Sequence, residues 1–153
     1  MRVIIGAAGP ERDEIGRWVA SRIRDYTLPA EYVALACVSD KGRGAVIYSE
    51  YRPDVPEIRL DCVGEGHWLT RAGLRVFFAY PFVELGCRRI TVICARRNRK
   101  ARRFVEHVGF VHEGTCRQAM PNGDNAVIYG MLRRECRWLK GSKHVLQTSR
   151  RAA

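Results

Sequence analysis

Apolar residues recur along this chain with two different periods, and the switches between them predict its elements. A short apolar run at residues 2–5 reads as a strand. Gly9-Pro10 then opens a helix, proline being suited to the first helical position, with Ile15, Trp18, Val19 and Ile23 as its buried stripe. Residues 32–38 are apolar on both faces, residues 40–44 carry turn chemistry, and residues 45–48 return, so the two runs predict a hairpin. Pro53 and Pro56 punctuate a loop. In residues 57–63, Ile58, Leu60 and Cys62 alternate with polar positions, the mark of a strand with two unlike faces.

The second half continues with longer periods. Residues 64–68 read as a loop, followed by a helix whose stripe is Leu74, Phe77, Phe78, Phe82 and Leu85; Pro81 interrupts it and Gly86 closes it. Residues 89–95 form the clearest central strand, β-branched and apolar. Asn98 caps a further helix with stripe Ala101, Phe104, Val105 and Val108, and Gly109 ends it. Residues 111–119 and 126–132 read as two strands joined at Asn122-Gly123, a strong hairpin signal. The order predicts an α/β domain over residues 1–139, a mixed sheet carrying helices on both faces, with a basic, mobile tail over 140–153.

Composition narrows the partners. With 46% apolar residues among 153, the chain is too hydrophobic to be disordered and long enough to bury a core without staples. The net charge of +11 predicts attraction to anions: nucleic acid, a ribosome surface, an acidic protein or a phosphate-rich cofactor. Six cysteines without a C-x-x-C pair or zinc spacing predict reduced, buried thiols and no metal site. No signal-peptide pattern or apolar run of membrane-spanning length is present, which gives the expectation of a soluble, cytoplasmic protein.

One stretch carries a more specific pattern. Tyr80-Pro-Phe-Val-Glu-Leu-Gly86 is followed by Arg88-Arg-Ile-Thr-Val92, then Asn98, Ala101, Val108-Gly109-Phe110, Glu113-Gly114 and Arg117. Single pieces of this are generic caps, but in order and at this spacing the stretch from Trp68 to Leu132 resembles the GNAT superfamily of N-acetyltransferases, most of all its RimJ/RimL-type protein acetyltransferases. The first 60 residues match that family only in element order.

The resemblance implies a GNAT-like central sheet with a splayed parallel strand pair, here residues 57–63 and 89–95, and acetyl-CoA as co-substrate between them. Its pantetheine arm is expected along Asp61, Cys62 and Val63, with a backbone N–H near Cys62 or Val63 as oxyanion donor. The pyrophosphate is expected on Gly66, His67, Trp68, Leu69, Thr70 and Arg71 at the following helix start, where unpaired N–H groups and the helix dipole favour anions. The family loop has the form Q/R-x-x-G-x-G/A; here Gly66 occupies a glycine position, and Trp68 and Thr70 replace the other small residues. Asn98, Ala101, Arg102 and Phe104 are the remaining expected cofactor contacts. Many members place a tyrosine acid seven residues after the asparagine; here that position is Val105.

Transfer to an amine needs positioning, oxyanion stabilisation and a proton acceptor. Glu65, His67 and Tyr129 are the candidate bases, the first two beside the predicted cleft and Tyr129 facing the acceptor. Cys94 is a weaker nucleophile candidate, lacking a histidine partner in sequence and set among apolar residues. The implied acceptor is a protein N-terminus, ribosome-associated or otherwise, or a small amine, and a homodimer is among the expected assemblies. Two other readings stand beside this one. Residues 88–103 hold eight basic residues and no acid, which fits a nucleic-acid-binding or ribosome-binding module. The departures in the phosphate loop fit a GNAT fold that binds CoA without catalysis.

Overall fold

The computed structural model describes residues 1–140. Its elements are β1 (Arg2–Gly6), α1 (Gly9–Arg22), β2 (Tyr32–Ser39), β3 (Gly42–Arg52), β4 (Glu57–Gly66), α2 (Arg71–Ala79), β5 (Arg89–Ala95), α3 (Arg99–Val108), β6 (Val111–Cys116) and β7 (Ala126–Leu132). The strands form one seven-stranded sheet in the order β1-β2-β3-β4-β5-β7-β6. All neighbours are antiparallel except β4 and β5.

The period-2 alternation of the strands divides the side chains between two cores. On one face, Ile15 and Val19 of α1 pack on Ile47 and on Ala34, Ala36 and Ala45, whose small side chains let the helix approach the sheet closely. On the other, α2 and α3 cover a larger core that includes Leu35, Val46, Tyr48, Ile58, Leu60, Ile90, Val92 and Val127. The helices therefore lie on both faces, as the sequence predicts. The expected tail over 140–153 lies outside the described residues, apart from Lys140.

Three sequence expectations are corrected. Residues 64–66 are not loop but the end of β4, because the β3–β4 ladder continues through Gly44↔Gly64 to Gly42↔Gly66, and backbone pairing overrides the low strand propensity of glycine. The C-terminal pair is the expected hairpin, turning at residues 120–124 where the Gly123 N–H donates to the Met120 carbonyl at 2.9 Å and the Met120 N–H to the Asp124 carbonyl at 3.1 Å, but its first strand is shorter than expected. β6 stops at Cys116, and residues 117–125 form a loop in which the Asn125 side chain accepts from the Gln118 N–H at 2.9 Å and the Asp124 side chain accepts from the Arg97 N–H at 2.9 Å. Those side-chain bonds to the backbone take the place of ladder pairing over residues 117–119. Finally, the cysteines are not uniformly buried: Cys37, Cys87, Cys94 and Cys136 are, while Cys62 is partly open and Cys116 exposed.

Pro81 acts as expected. The helix ends at Ala79 and a widened turn follows, with the Leu85 N–H donating to the Tyr80 carbonyl at 3.1 Å. Proline has no N–H to give the carbonyl four residues back, that of Phe77. The hydroxyl of fully buried Tyr48 donates to it instead, at 2.5 Å. A Tyr48→Phe variant removes that donor while keeping the ring. It should lose about 1–3 kcal/mol of stability in a urea titration, with the denaturant slope unchanged.

Candidate active site

The site is built by the separation of β4 and β5. The two strands pair only at Glu57↔Arg89, Ile58↔Ile90 and Arg59↔Thr91, although β4 continues to Gly66 and β5 to Ala95. Past Arg59, β4 is held on its other side by β3, and β5 on its other side by β7. A wedge is left between them, with backbone donors and acceptors of β4 along one wall. Such groups require partners, so the wedge is suited to a ligand that binds as an added strand.

α2 starts beside the wide end of the wedge. Thr70 caps it, its Oγ1 accepting from the Gly73 N–H at 3.0 Å, and Arg71 is exposed at the first position. On the opposite wall Asn98 caps α3, its Oδ1 accepting from the Ala101 N–H at 3.1 Å. Two helix N-termini therefore flank the wedge, each with first-turn N–H groups that lie outside the intrahelical ladder.

Between the helices lies an apolar cleft of about 30 Å³, lined in part by Cys62, Trp68, Leu69 and Phe104. Trp68 fills much of what would otherwise be open. Its ring stacks on Phe104 at 6.3 Å and tilts against Phe77 at 5.8 Å. It lies flat on Gly44 and Gly64, where a Cβ on either glycine would overlap the indole. The tryptophan that replaces a small loop residue is thus a packing element that narrows the cleft.

The catalytic candidates separate. Glu65 lies on the α1 face and is held by Arg22 at 3.0 Å and Arg43 at 3.1 Å, which occupy its two oxygens. His67 is exposed in the β4–α2 connection, where its N–H donates to the Lys41 carbonyl at 2.9 Å. Tyr129 does not face an acceptor: it is fully buried under α3, donating to Glu106 at 2.8 Å and accepting from Arg102 at 3.2 Å. This also corrects Arg102, which is drawn toward Tyr129 and the Arg96 carbonyl at 3.1 Å, on the flank of α3 away from the cleft. Burial pushes Cys94 up to about 11 and Cys62 to about 12, so neither thiol supplies a thiolate at neutral pH.

The residue that sequence reasoning placed only among cofactor contacts is Asp61. Strand alternation puts Cys62 against α2 and α3, and Asp61 on the opposite, α1 side, two residues past the last β4–β5 pair. Only its backbone lines the wedge. Its carboxylate accepts from the Tyr26 hydroxyl at 3.1 Å and lies 3.6 Å from Arg59 Nε. Burial raises its pKa, and Arg59 and Tyr26 oppose that rise. Burial also pushes the Tyr26 hydroxyl well up, aided by Asp61, so Tyr26 stays a donor. In sequence Asp61 falls in the polar set of the alternation with Glu57 and Arg59, so nothing there marked it as enclosed.

The comparisons fit this geometry. A spermidine N-acetyltransferase chimera (Vibrio cholerae SpeG and hSSAT) superposes with a TM-score of 0.66 over 88% of this chain and 98% of that one, at 17% identity. A 74-residue stretch is 35% identical to the Bacillus subtilis (strain 168) protein named "Putative ribosomal N-acetyltransferase YdaF". The chain has the fold of these acetyltransferases, and one stretch of its sequence is similar to one of them. The match to the Bacillus protein spans 46% of this chain and 40% of that relative. A structure titled "Probable acetyltransferase" shares 25% identity and a TM-score of 0.55 over 69% of this chain and 62% of that one. No protein-family model matches the sequence.

The packing of Trp68 on the sheet makes a direct prediction. Gly44→Ala should destabilise the protein by about 1–3 kcal/mol through overpacking. Combining it with Trp68→Leu should recover part of that loss in a double-mutant cycle of denaturant midpoints.

Proposed function

We propose that this chain is an acetyl-CoA-dependent N-acetyltransferase acting on a primary amine. The observation that carries the reading is the wedge between β4 and β5. One wall offers unpaired backbone groups over residues 60–66, and helix N-termini stand at its wide end. These fit an extended acyl-pantetheine chain with a charged phosphate end. Asp61, Cys62 and Val63 would hold the arm through their backbone. Gly66, His67, Leu69, Thr70 and Arg71 surround the helix start that would hold the phosphates, and Asn98, Ala101 and Phe104 form the far wall. Acetyl-CoA supplies an acetyl thioester, which is already activated, so the protein's share is positioning and proton transfer.

Asp61 is the group best placed to accept the amine's proton. It lies past the end of the β4–β5 pairing, on the face opposite the α2/α3 cleft, and α1 and Tyr26 leave it a small opening. Tyr26 fixes its orientation. Desolvation makes it a stronger base than a free carboxylate, and Arg59 and Tyr26 oppose that rise. With Val105 at the expected acid position and Tyr129 bonded beneath α3, neither supplies a hydroxyl to the cleft.

The acceptor reads as a peptide or protein N-terminal amine. A net charge of +11 opposes the approach of a polycation such as spermidine, the substrate named for the chimera neighbour. The ribosomal designation of the Bacillus relative supports a ribosome-associated protein as the acceptor. A second reading, an acyl-CoA-binding GNAT fold without turnover, is favoured by one observation: the indole of Trp68 narrows the cleft.

The test is CoA release, followed by thiol titration, with a panel of N-terminal peptides. Turnover should rise with pH through an apparent pKa above the ordinary carboxylate range. Asp61→Asn should lower kcat about 10²–10⁴-fold while leaving acetyl-CoA affinity intact. A carboxylate whose folded pKa is raised adds stability only at low pH, and this is lost as pH rises through that pKa. Asp61→Asn should therefore melt at or above the wild-type temperature at pH 7. Acetyl-CoA binding without turnover on any amine would support the second reading, and full activity in Asp61→Asn would remove Asp61 as the base.

A further inference from the structure

The basic run at residues 96–103 is not absorbed by the transfer site. Part of it lines a separate cleft of about 650 Å³ at the other flank of α3, formed by Arg96, Arg97, Arg99, Arg102, Gln118 and Asn125. This cleft shares no lining residue with the apolar cleft between α2 and α3. The division follows the helix faces. Ala101 and Phe104 turn toward the core and Trp68, whereas Arg102 turns toward Tyr129 and the β6–β7 loop.

We propose that this cleft binds the phosphate backbone of single-stranded RNA, independently of acyl-CoA. Its size lies within the usual range for ligand clefts, roughly 300–1,000 Å³. Four arginines line it, and a guanidinium is a planar fork of donors matched to phosphate oxygens. Part of the wall is held in place. Arg102 is fixed by the Tyr129 hydroxyl and the Arg96 carbonyl, and the loop opposite is fastened by the Asn125 and Asp124 bonds. Arg96, Arg97 and Arg99 are exposed at the rim.

One acid, Asp124, also lines the cleft. It accepts from the Arg97 and Asn125 N–H groups at 2.9 and 2.8 Å, with Arg97 Nε 3.9 Å away, and the Arg97 backbone bond holds its pKa below the usual range. It offsets one of the four positive charges and leaves the cleft strongly cationic. The lining contains no aromatic or large aliphatic side chain. A protein partner would find no apolar anchor there, the feature that dominates protein–protein hot spots. A sugar–phosphate backbone needs only the guanidinium and amide donors that are present.

The test uses fluorescence anisotropy with a labelled 20-nucleotide single-stranded RNA between 50 and 200 mM salt. Calorimetry with acetyl-CoA runs beside it, and the chain is otherwise unchanged. Arg97→Ala/Arg99→Ala should weaken RNA binding about tenfold or more. It should also reduce the slope of log K against log salt by about 1.4, two contacts at about 0.7 each. Acetyl-CoA binding and the thermal melt should stay as in wild type. Arg17→Ala/Arg24→Ala, exposed on the α1 side, should leave RNA binding within about twofold of wild type, beyond the general loss of charge. Equal losses from both double variants would show a diffuse charge effect and overturn the site. Competition by acetyl-CoA or CoA for bound RNA would overturn its independence. Displacement of RNA by polyglutamate at equal charge concentration would overturn RNA in favour of an acidic protein partner.

Discussion

β4 and β5 run parallel for three residues and then part, and most of what this protein can do depends on that parting. Each strand is held on its far side by an antiparallel neighbour, β3 or β7, so neither can swing across to close the gap. The backbone groups inside the wedge then lack the partners that sheet interiors provide, which is costly unless a ligand or water supplies them. The same geometry places Asp61 on the α1 side just past the last paired residue, and the starts of α2 and α3 at the wide end. On the proposed function, cofactor edge, phosphate end and proton acceptor would be three consequences of one interrupted ladder.

Much of this was legible in the sequence because local rules and tertiary demands agreed. The alternation of Ile58, Leu60 and Cys62, the β-branched run at residues 89–95, Asn98 before α3 and Gly109 after it all act as their residue types predict. The interruption at Pro81 was also legible; its compensation was not, since the hydroxyl of Tyr48 arrives from a strand 29 residues away. Residues 64–66 read as loop because glycine is a poor strand former, yet Gly44 and Gly64 are the positions where a tryptophan ring must lie flat on the sheet. The hairpin signal at Asn122-Gly123 was right about the turn, but β6 stops at Cys116 rather than reaching residue 119, because Asn125 and Asp124 side chains bond the backbone around the loop. Site chemistry was least legible. Tyr129 and Arg102 bond to each other, and the enclosed setting of Asp61 emerges only once Tyr26 is folded against it.

Helix α3 separates two electrostatic environments. Its inner stripe closes an apolar cleft around Trp68, and its outer flank carries arginines toward the β6–β7 loop. A charge run on a helix surface would ordinarily be a solvated face. Here two of its members are tied to neighbouring groups, Arg102 to Tyr129 and Arg97 to Asp124, so the positive charge is presented in a defined cavity. The net charge of +11 therefore acts through placement as well as amount.

The measurement that bears most directly on the central claim is amide hydrogen exchange across residues 60–66, with and without saturating acetyl-CoA. If the wedge receives the acyl-pantetheine arm as an added strand, amides there should slow on binding, while those of residues 118–125 keep their rates. Unchanged exchange over residues 60–66, or slowing confined to residues 96–103, would contradict the account and place the ligand on the basic flank of α3.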